Sequence, residues 1–115
     1  MKYIEWLNIW LENYVKPSVK VRTYERHALI IEKDIAKDIG EHEINALSAL
    51  ILQNYITKLL QNGNHKTGQG LSANSVNSII SLIQNSLRTA NMLGIAKEYT
   101  ADKIKRPKLT EKPVE

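Results

Sequence analysis

Apolar residues recur along this chain at intervals of three and four, the spacing that collects them on one face of an α-helix. The pattern predicts four helices, over about 2–15, 19–38, 48–62 and 72–93, and a short helical piece over 98–105. Nowhere do apolar and polar residues alternate long enough to predict a strand. The expected fold class is all-α, a four-helix bundle with short connections.

Residues with strong preferences at helix ends support these boundaries. Pro17 ends the first helix, because proline lacks an amide proton and clashes with the preceding turn. Gly40 is predicted to end the second helix, and residues 62–70 form a polar, glycine-rich loop before the fourth. A serine hydroxyl can accept from free amides of a first helical turn. The predicted N-caps are Ser18, Ser48 and Ser72.

The predicted core consists of the apolar residues that share one face of each helix, with Trp6 and Trp10 flanking that face in the first. The core residues are Ile4, Leu7, Leu11 and Tyr14 in the first helix; Val21, Tyr24, Ala28, Ile31 and Ile35 in the second; Leu52, Tyr55, Ile56, Leu59 and Leu60 in the third; and Val76, Ile79, Ile80, Ile83, Leu87 and Ala90 in the fourth.

Length and composition narrow the class of protein. The 115 residues fit one domain with one modest core. The absence of cysteine removes disulfides and thiolate metal sites and fits a reducing compartment. No apolar run approaches the roughly 18 residues of a membrane span, and the acidic, amphipathic N-terminus is unlike a signal peptide. These features fit a cytoplasmic protein with no membrane partner.

The second helix carries a basic stripe opposite its core face. The residues are Arg22, Arg26 and Lys33 on the helix and Lys16 and Lys20 just before it. Several cations on one face favour contact with phosphates, since each displaces a condensed counterion. An arginine can also bind a guanine edge. The alternative is that these residues form an ordinary solvated helix face, as runs of charged residues usually do.

The fourth helix has an unusual polar face, because no charged residue occurs between Thr67 and Leu87. Its polar residues are Ser72, Asn74, Ser75, Asn77, Ser78, Ser81 and Asn85. Serine and asparagine lower helix propensity by competing for backbone hydrogen bonds. A surface that meets bases and phosphates would justify this composition, because carboxylates would be repelled there. A low-charge face packed on another domain would justify it equally.

No set of residues in the sequence predicts catalysis or a bound cofactor. His27, His42 and His65 do not share a metal-ligand spacing, and no phosphate-binding or nucleophile motif is present. Glu41 and Glu43 lie close together but have no partner base. We expect no cofactor, no metal and no enzymatic activity in this chain.

The order of these features resembles a known family. Thr23-Tyr24 opens the second helix, Leu71-Ser72 opens the fourth, and Ala90 and Gly94 precede a basic, proline-containing tail, KIKRPK. In order and spacing, the chain resembles over nearly its whole length the core-binding, SAM-like N-terminal domain of phage integrases and transposon-type tyrosine recombinases. One departure is the absence of the Asn-Pro pair that often follows the fourth helix, where this chain reads KEYTA over 97–101.

The resemblance implies a function and a set of contacts. In that family the domain forms half of a clamp around double-stranded DNA at the core of the attachment site, with helices matching the second and fourth facing the major groove. Arg22, Arg26 and Ser75 match DNA-contacting positions. The complete candidate DNA-binding set is Lys16, Lys20, Arg22, Thr23, Arg26, Ser72, Asn74, Ser75, Asn77, Ser78, Lys105 and Arg106.

The resemblance also implies how the parent protein is organised. Residues 1–103 would form the core-binding domain, and 104–115 a linker to a catalytic domain that holds the nucleophilic tyrosine and breaks and rejoins DNA strands. The parent would assemble as a tetramer on DNA, while this chain alone would be a monomer. A competing hypothesis is a helical protein-interaction module that docks a partner through its charge-free fourth helix.

From this organisation we predict that the chain alone does not cleave DNA, because the residues that activate a tyrosine nucleophile are absent. Incubation with attachment-site DNA, followed by denaturing electrophoresis, should show no covalent protein–DNA adduct. An adduct through any of the five tyrosines would contradict this prediction.

Overall fold

A computed structural model describes residues 1–62 and 70–107. They form four α-helices and no extended strand, which confirms the predicted all-α fold class. The helices are α1 (Tyr3–Trp10), α2 (Val21–Ile30), α3 (Ala49–Asn62) and α4 (Ala73–Met92). Short 3₁₀ turns occur at Ile39–Glu41, Ile44–Ala46 and Ala101–Lys103. Within the described ranges, no helix is both long enough and apolar enough to cross a membrane.

The first two helices each continue into a five-residue π-helical turn. Leu11–Val15 extends α1, and the Lys16 amide donates to the Leu11 carbonyl at 2.8 Å. Ile31–Ile35 extends α2 in the same way. The first helical segment therefore ends at 15, as predicted, whereas the second ends at 35 rather than 38. The backbone hydrogen bond of a π-turn joins residues five apart, so it spans one residue more than the hydrogen bond of an α-turn. For this reason Val15 is buried and the predicted core residue Tyr14 is exposed.

The start of α2 also differs from the prediction. Ser18 is not its N-cap, because the Ser18 amide still donates to the Val15 carbonyl and belongs to the turn that ends the first segment. Lys20 occupies the cap position, with no side-chain cap hydrogen bond. Gly40 lies beyond the end of the second segment, where a Cβ would come within 2.9 Å of the Ile35 carbonyl oxygen. Its role is close packing rather than helix termination.

Helix α4 begins and ends as its sequence predicts. The Ser72 hydroxyl accepts from the Ser75 amide, so Ser72 is the N-cap. At the other end Gly94 has a φ of 78°, in the left-handed region that glycine adopts without strain. The Ile95 amide donates to the Ala90 carbonyl and the Gly94 amide to the Asn91 carbonyl. These two bonds are those of a Schellman motif, which satisfies the last carbonyls of the helix.

Two aromatic residues of α1 are anchored on Ser86 of α4. The Tyr3 and Ser86 hydroxyls lie 2.6 Å apart in the core, and the Trp6 indole nitrogen donates to the Ser86 carbonyl at 2.8 Å. Ser86 already donates its single hydroxyl proton to the Ile83 carbonyl, so Tyr3 is the donor between the two hydroxyls. Trp6 and Trp10, predicted to flank the core, are 1% and 5% exposed and form part of it.

The apolar stripe of α4 is buried along its whole length, as predicted. Two other predicted core residues are exposed. Val21 is 74% exposed, because it precedes the part of α2 that packs on α1. Leu60 is 37% exposed, because its neighbour Leu59 occupies the buried position at the end of α3.

The chain after α4 packs back onto the bundle. The short helical piece predicted over 98–105 is limited to the turn Ala101–Lys103, and Ile104, in the predicted linker, is buried. Residues 63–69 and 108–115, most of the predicted loop and most of the predicted linker, lie outside the described residues.

Burial of the α4 stripe predicts a large cost for truncating Ile83, which is fully buried. The substitution Ile83→Ala should lower the free energy of unfolding by about 2–5 kcal/mol, through lost transfer energy and the cavity left behind. Leu50→Ala is the matched control, since Leu50 is 69% exposed and should lose less than about 0.5 kcal/mol. Chemical denaturation measures both, and equal small losses would contradict the described packing.

Candidate nucleic-acid interface

Helices α2 and α4 lie side by side and form two adjoining grooves. Arg26, Ile30 and Ser78 line both of them. The first groove, of about 280 Å³, is completed by Thr23, His27, Ser81, Leu82 and Asn85. The second, of about 250 Å³, is completed by Leu29, Asp34, Leu71, Ser75 and Ile79. Arg26 of the basic stripe therefore meets the charge-free face of α4 on one surface, which we call the α2–α4 face.

The two grooves differ in their electrostatics. The first has Arg26 and neutral polar groups in its lining, with no carboxylate among the residues that line it. The second has Asp34 in its lining, which disfavours phosphate there. The first groove is therefore the better site for an anionic ligand.

Several predicted cations on this side of the molecule are free to meet a ligand. Lys20, Arg22 and Arg26 are exposed, and within the described ranges none has a hydrogen bond or ion pair through its side chain. Arg22 and Arg26 are separated by one helical turn, so they lie on the same side of α2. Thr23 is exposed beside them and lines the first groove.

Lys16 is exposed but already has two partners. Its ammonium lies 3.5 Å from a Glu12 carboxylate oxygen and 5.7 Å from the centre of the Tyr24 ring. The Tyr24 hydroxyl donates to Glu12 at 2.7 Å. This hydrogen bond, together with the Lys16 charge, lowers the pKa of Glu12. The same hydrogen bond, together with burial and the Glu12 charge, raises the pKa of Tyr24. Lys16 therefore contributes less free positive charge than Arg22 or Arg26.

The short polar side chains of α4 are partly satisfied by their own helix. Asn77 donates to the Ala73 carbonyl at 3.0 Å, and the Ser78 hydroxyl donates to the Asn74 carbonyl at 3.2 Å. Ser75 and Ser72 bond to each other at the N-cap. Asn74 is exposed, with no partner for its side chain in the described part of the chain. These residues can still accept from a ligand, but Ser78 is committed as a donor.

The predicted tail residues Lys105 and Arg106 behave differently from each other. The Lys105 side chain is exposed, while its amide donates to the Gln53 side chain at 2.7 Å. The Arg106 guanidinium lies on α4, where it donates to Asn77, Ser81 and Gln84 at 2.8–3.2 Å. The structure thus brings Arg106 to α4 beside Ser81, which lines the first groove, although its donors are occupied there.

Sequence reasoning left three polar residues of the first groove out of the predicted set, namely His27, Ser81 and Asn85. The Nδ1 of His27 lies 2.9 Å from the Thr23 carbonyl, which can only accept, so Nδ1 carries a proton. Its ring packs 6.2 Å from that of Trp10, centre to centre, and borders the first groove. In the sequence, His27 directly follows Arg26 and lies four residues after Thr23. This spacing could have placed His27 in the predicted set.

Metal-ligand residues and buried tyrosines were the remaining candidates for chemistry in the described part of the chain. Within 1–62 and 70–107, no three His, Asp or Glu side chains are placed to hold a metal ion. Burial raises the pKa of Tyr3, and burial together with the nearby charges of Asp34 and Asp38 raises that of Tyr55. Neither phenol is prepared for nucleophilic attack.

Comparisons with known proteins show which family and which solved structures this chain is similar to. A model of the phage integrase N-terminal SAM-like domain matches residues 3–60, which span α1, α2 and most of α3. The solution structure of an integrase-like domain from Bacillus cereus has a TM-score of 0.78 and 27% identity, covering 99% of this chain and 90% of that one. No curated protein matches the chain at a significant level.

A second solution structure, of a phage integrase SAM-like domain from Moorella thermoacetica, has a TM-score of 0.74 at 21% identity and covers 97% of this chain and 92% of that one. At this identity the likeness bears on the fold alone. Both likenesses extend over the whole bundle, so the SAM-like fold expected from the sequence is confirmed.

The Glu12–Tyr24 hydrogen bond leads to a prediction about the pKa of Glu12. Removing the phenol hydroxyl with Tyr24→Phe should raise the pKa of Glu12 toward its ordinary value, because that hydrogen bond is the largest cause of its lowering. The contact stabilises the fold above the ordinary pKa of glutamate, and this contribution disappears as the pH falls through the lowered value.

A carbon-detected NMR titration of the Glu12 carboxyl group measures the pKa in both proteins. Tyr14→Phe is the matched control. Tyr14 is exposed on the same helical segment as Glu12, and its hydroxyl has no partner in the described ranges. An unchanged Glu12 pKa in Tyr24→Phe would show that the hydrogen bond does not form in solution.

Proposed function

Since this chain belongs to the family of phage integrase N-terminal SAM-like domains, we propose that it grips double-stranded DNA for a site-specific tyrosine recombinase. Its role is to hold the core of the attachment site while a separate catalytic domain of the parent protein breaks and rejoins the strands. The α2–α4 face is the surface that meets the DNA.

The position of Arg26 is the observation that most strongly supports this proposal. Arg26 is exposed, has no carboxylate partner in the described ranges, and lines both grooves between the two helices. A guanidinium placed in this way can bind a phosphate, or the O6 and N7 atoms of guanine in bidentate fashion. The neutral Ser78 can accept and the neutral Asn85 can donate at base edges without repelling phosphates.

The shape of the face fits the same proposal. Helix α4 has 20 residues and is therefore about 30 Å long, while the major groove of B-DNA is wide enough to admit one α-helix. The N-terminal turn of α4 borders the second groove through Ser75, so the positive end of the helix dipole lies next to the first groove, where we propose that the phosphate binds. Lys20 and Arg22 would extend the phosphate contacts along α2.

The remaining parts of the proposal concern the parent protein. We propose that residues 1–103 act as the core-binding domain and that the chain from 104 onward leads to the catalytic domain. By analogy with the family, the parent would work in the cytoplasm and assemble as a tetramer on DNA, while this chain alone would remain a monomer without a cofactor.

The prediction that tests this function concerns the double substitution Arg22→Ala with Arg26→Ala. Removing two phosphate contacts should weaken binding to all duplex sequences and reduce the slope of log affinity against log salt by about two, about one for each cation. If Arg26 reads a guanine, its removal should also relax the preference at one base pair, at a cost of about 1–3 kcal/mol. Fluorescence anisotropy with short random-sequence duplexes over a salt series measures the slope, and duplexes that differ at single base pairs measure the preference.

The matched control is Lys97→Ala with Lys103→Ala, which removes the same charge. These lysines border a separate cavity with Ile44–Ala49, beyond the C-terminal end of α4, and their loss should leave the salt slope nearly unchanged. Equal effects of the two double substitutions would show that only net charge matters, and the α2–α4 face would not be the site. Salt-insensitive binding of a protein partner through α4 would instead favour the interaction module.

A further inference from the structure

The chain leaves the bundle along a segment that is fastened at several points. Gln53 of α3 pairs with the backbone of Lys105, accepting from its amide at 2.7 Å and donating to its carbonyl at 3.4 Å. Gln84 of α4 donates to the Ala101 carbonyl at 3.1 Å. Ala101 and Ile104 are buried. Residues 101–106, which we call the exit segment, are therefore held against α3 and α4 together.

Arg106 makes the last and most extensive of these attachments. One terminal nitrogen donates to the carbonyl and side-chain oxygens of Asn77, at 3.2 and 2.9 Å. The other donates to the Ser81 hydroxyl at 3.2 Å and to Gln84 Oε1 at 2.8 Å. A guanidinium has five N–H donors, four of them on its terminal nitrogens. All four have a partner on α4, so a phosphate could use them only after they were released.

Every acceptor in this site is neutral. Asn77, Ser81 and Gln84 hold the guanidinium without cancelling its charge, whereas a carboxylate would neutralise it and repel phosphate nearby. Ser81 also lines the first groove, opposite Arg26. The arrangement fixes a full positive charge beside the groove and commits Asn77, a predicted DNA contact, to an internal role.

We propose that Arg106 is a positioning residue: its fork-shaped guanidinium fastens the exit segment to α4 and so fixes the direction in which the chain leaves the α2–α4 face at Pro107. Gln84 is the second component, because it binds both the Ala101 carbonyl and Arg106. This assignment goes beyond DNA binding and is independent of it, since every contact that carries it lies within the DNA-free chain.

The test compares Arg106→Lys and Arg106→Gln with the wild-type chain. Lysine keeps the charge but cannot reproduce the planar fork, so both substitutions should release the exit segment. We expect the Lys105 amide to exchange with solvent at least about threefold faster in each, as expected when a local attachment is lost. Gln84→Ala, which keeps the arginine, should give a smaller increase of the same sign.

A second measurement reports the direction of exit. The chain has no cysteine, so Lys105→Cys, at an exposed side chain next to Arg106, accepts a single nitroxide label. In the wild type, paramagnetic broadening should concentrate on amides of α4 around Asn77 and Ser81; after Arg106→Lys or Arg106→Gln it should weaken and spread. Arg88→Gln is the control, because Arg88 lies on the same helix but contacts Asn85 and Tyr99.

Two outcomes would overturn the proposal. If Arg106→Lys retains the wild-type exchange rate and broadening pattern, any cation at this position holds the exit segment and the planar guanidinium is not required. If Arg106→Gln also retains them, Ile104 and Gln53 hold the segment alone. Unchanged amide shifts of α1 and α2, which make no contact with Arg106, would establish that the bundle remains folded, and neither outcome depends on whether the chain binds DNA.

Discussion

The structure depends on the buried junction at Ser86, where α1 meets α4. Tyr3 and Trp6 are large side chains that gain much from burial, but each carries a polar hydrogen that must find an acceptor inside the core. Both acceptors are atoms of Ser86, a residue small enough to leave room for two rings. A shift of α1 by one residue would leave both hydrogens unsatisfied, so the junction fixes the register of the two helices.

The position of α2 follows from that of α1. No residue of Val21–Ile30 is fully buried, and the helix is anchored by Ile31 and Ile35 in the π-turn that follows it. Along its length α2 rests on α1 through shallow contacts, such as the Tyr24–Glu12 hydrogen bond and the Trp10–His27 ring contact. A helix held in this way keeps most of its surface accessible. The exposure of Arg22 and Arg26 is thus a consequence of how little of α2 the core requires.

Sequence periodicity predicted α4 well because that helix is regular, apolar on one face and capped at both ends. It failed at Tyr14 because a π-turn changes the phase of the buried face, and nothing in the local composition shows that an extra residue is accommodated. It failed at Ser18 because the preceding turn continues past Pro17. The α2–α4 face was predicted in two halves, from charge on one helix and its absence on the other.

The parts of the face that the sequence did not predict arise from contacts between residues distant along the chain. Arg106 was expected to face DNA because it is basic and lies in a tail. Its actual partners, up to 29 positions away on α4, are serine and amide side chains that have many other possible roles. Pairings of this kind depend on the path of the backbone, which local patterns do not specify.

The paired π-turns have a consequence for the variation that this fold can accept. Each accommodates a residue that an α-helix would not hold, so deleting one residue within 11–15 or 31–35 would restore α-helical bonding there. Five residues in a π-turn cover nearly the same rotation about the helix axis as four residues in an α-turn, so the segment after the deletion would keep its phase and Val15 or Ile35 would still face the core. Chains that are one residue shorter in either turn can therefore keep the same α1–α4 packing.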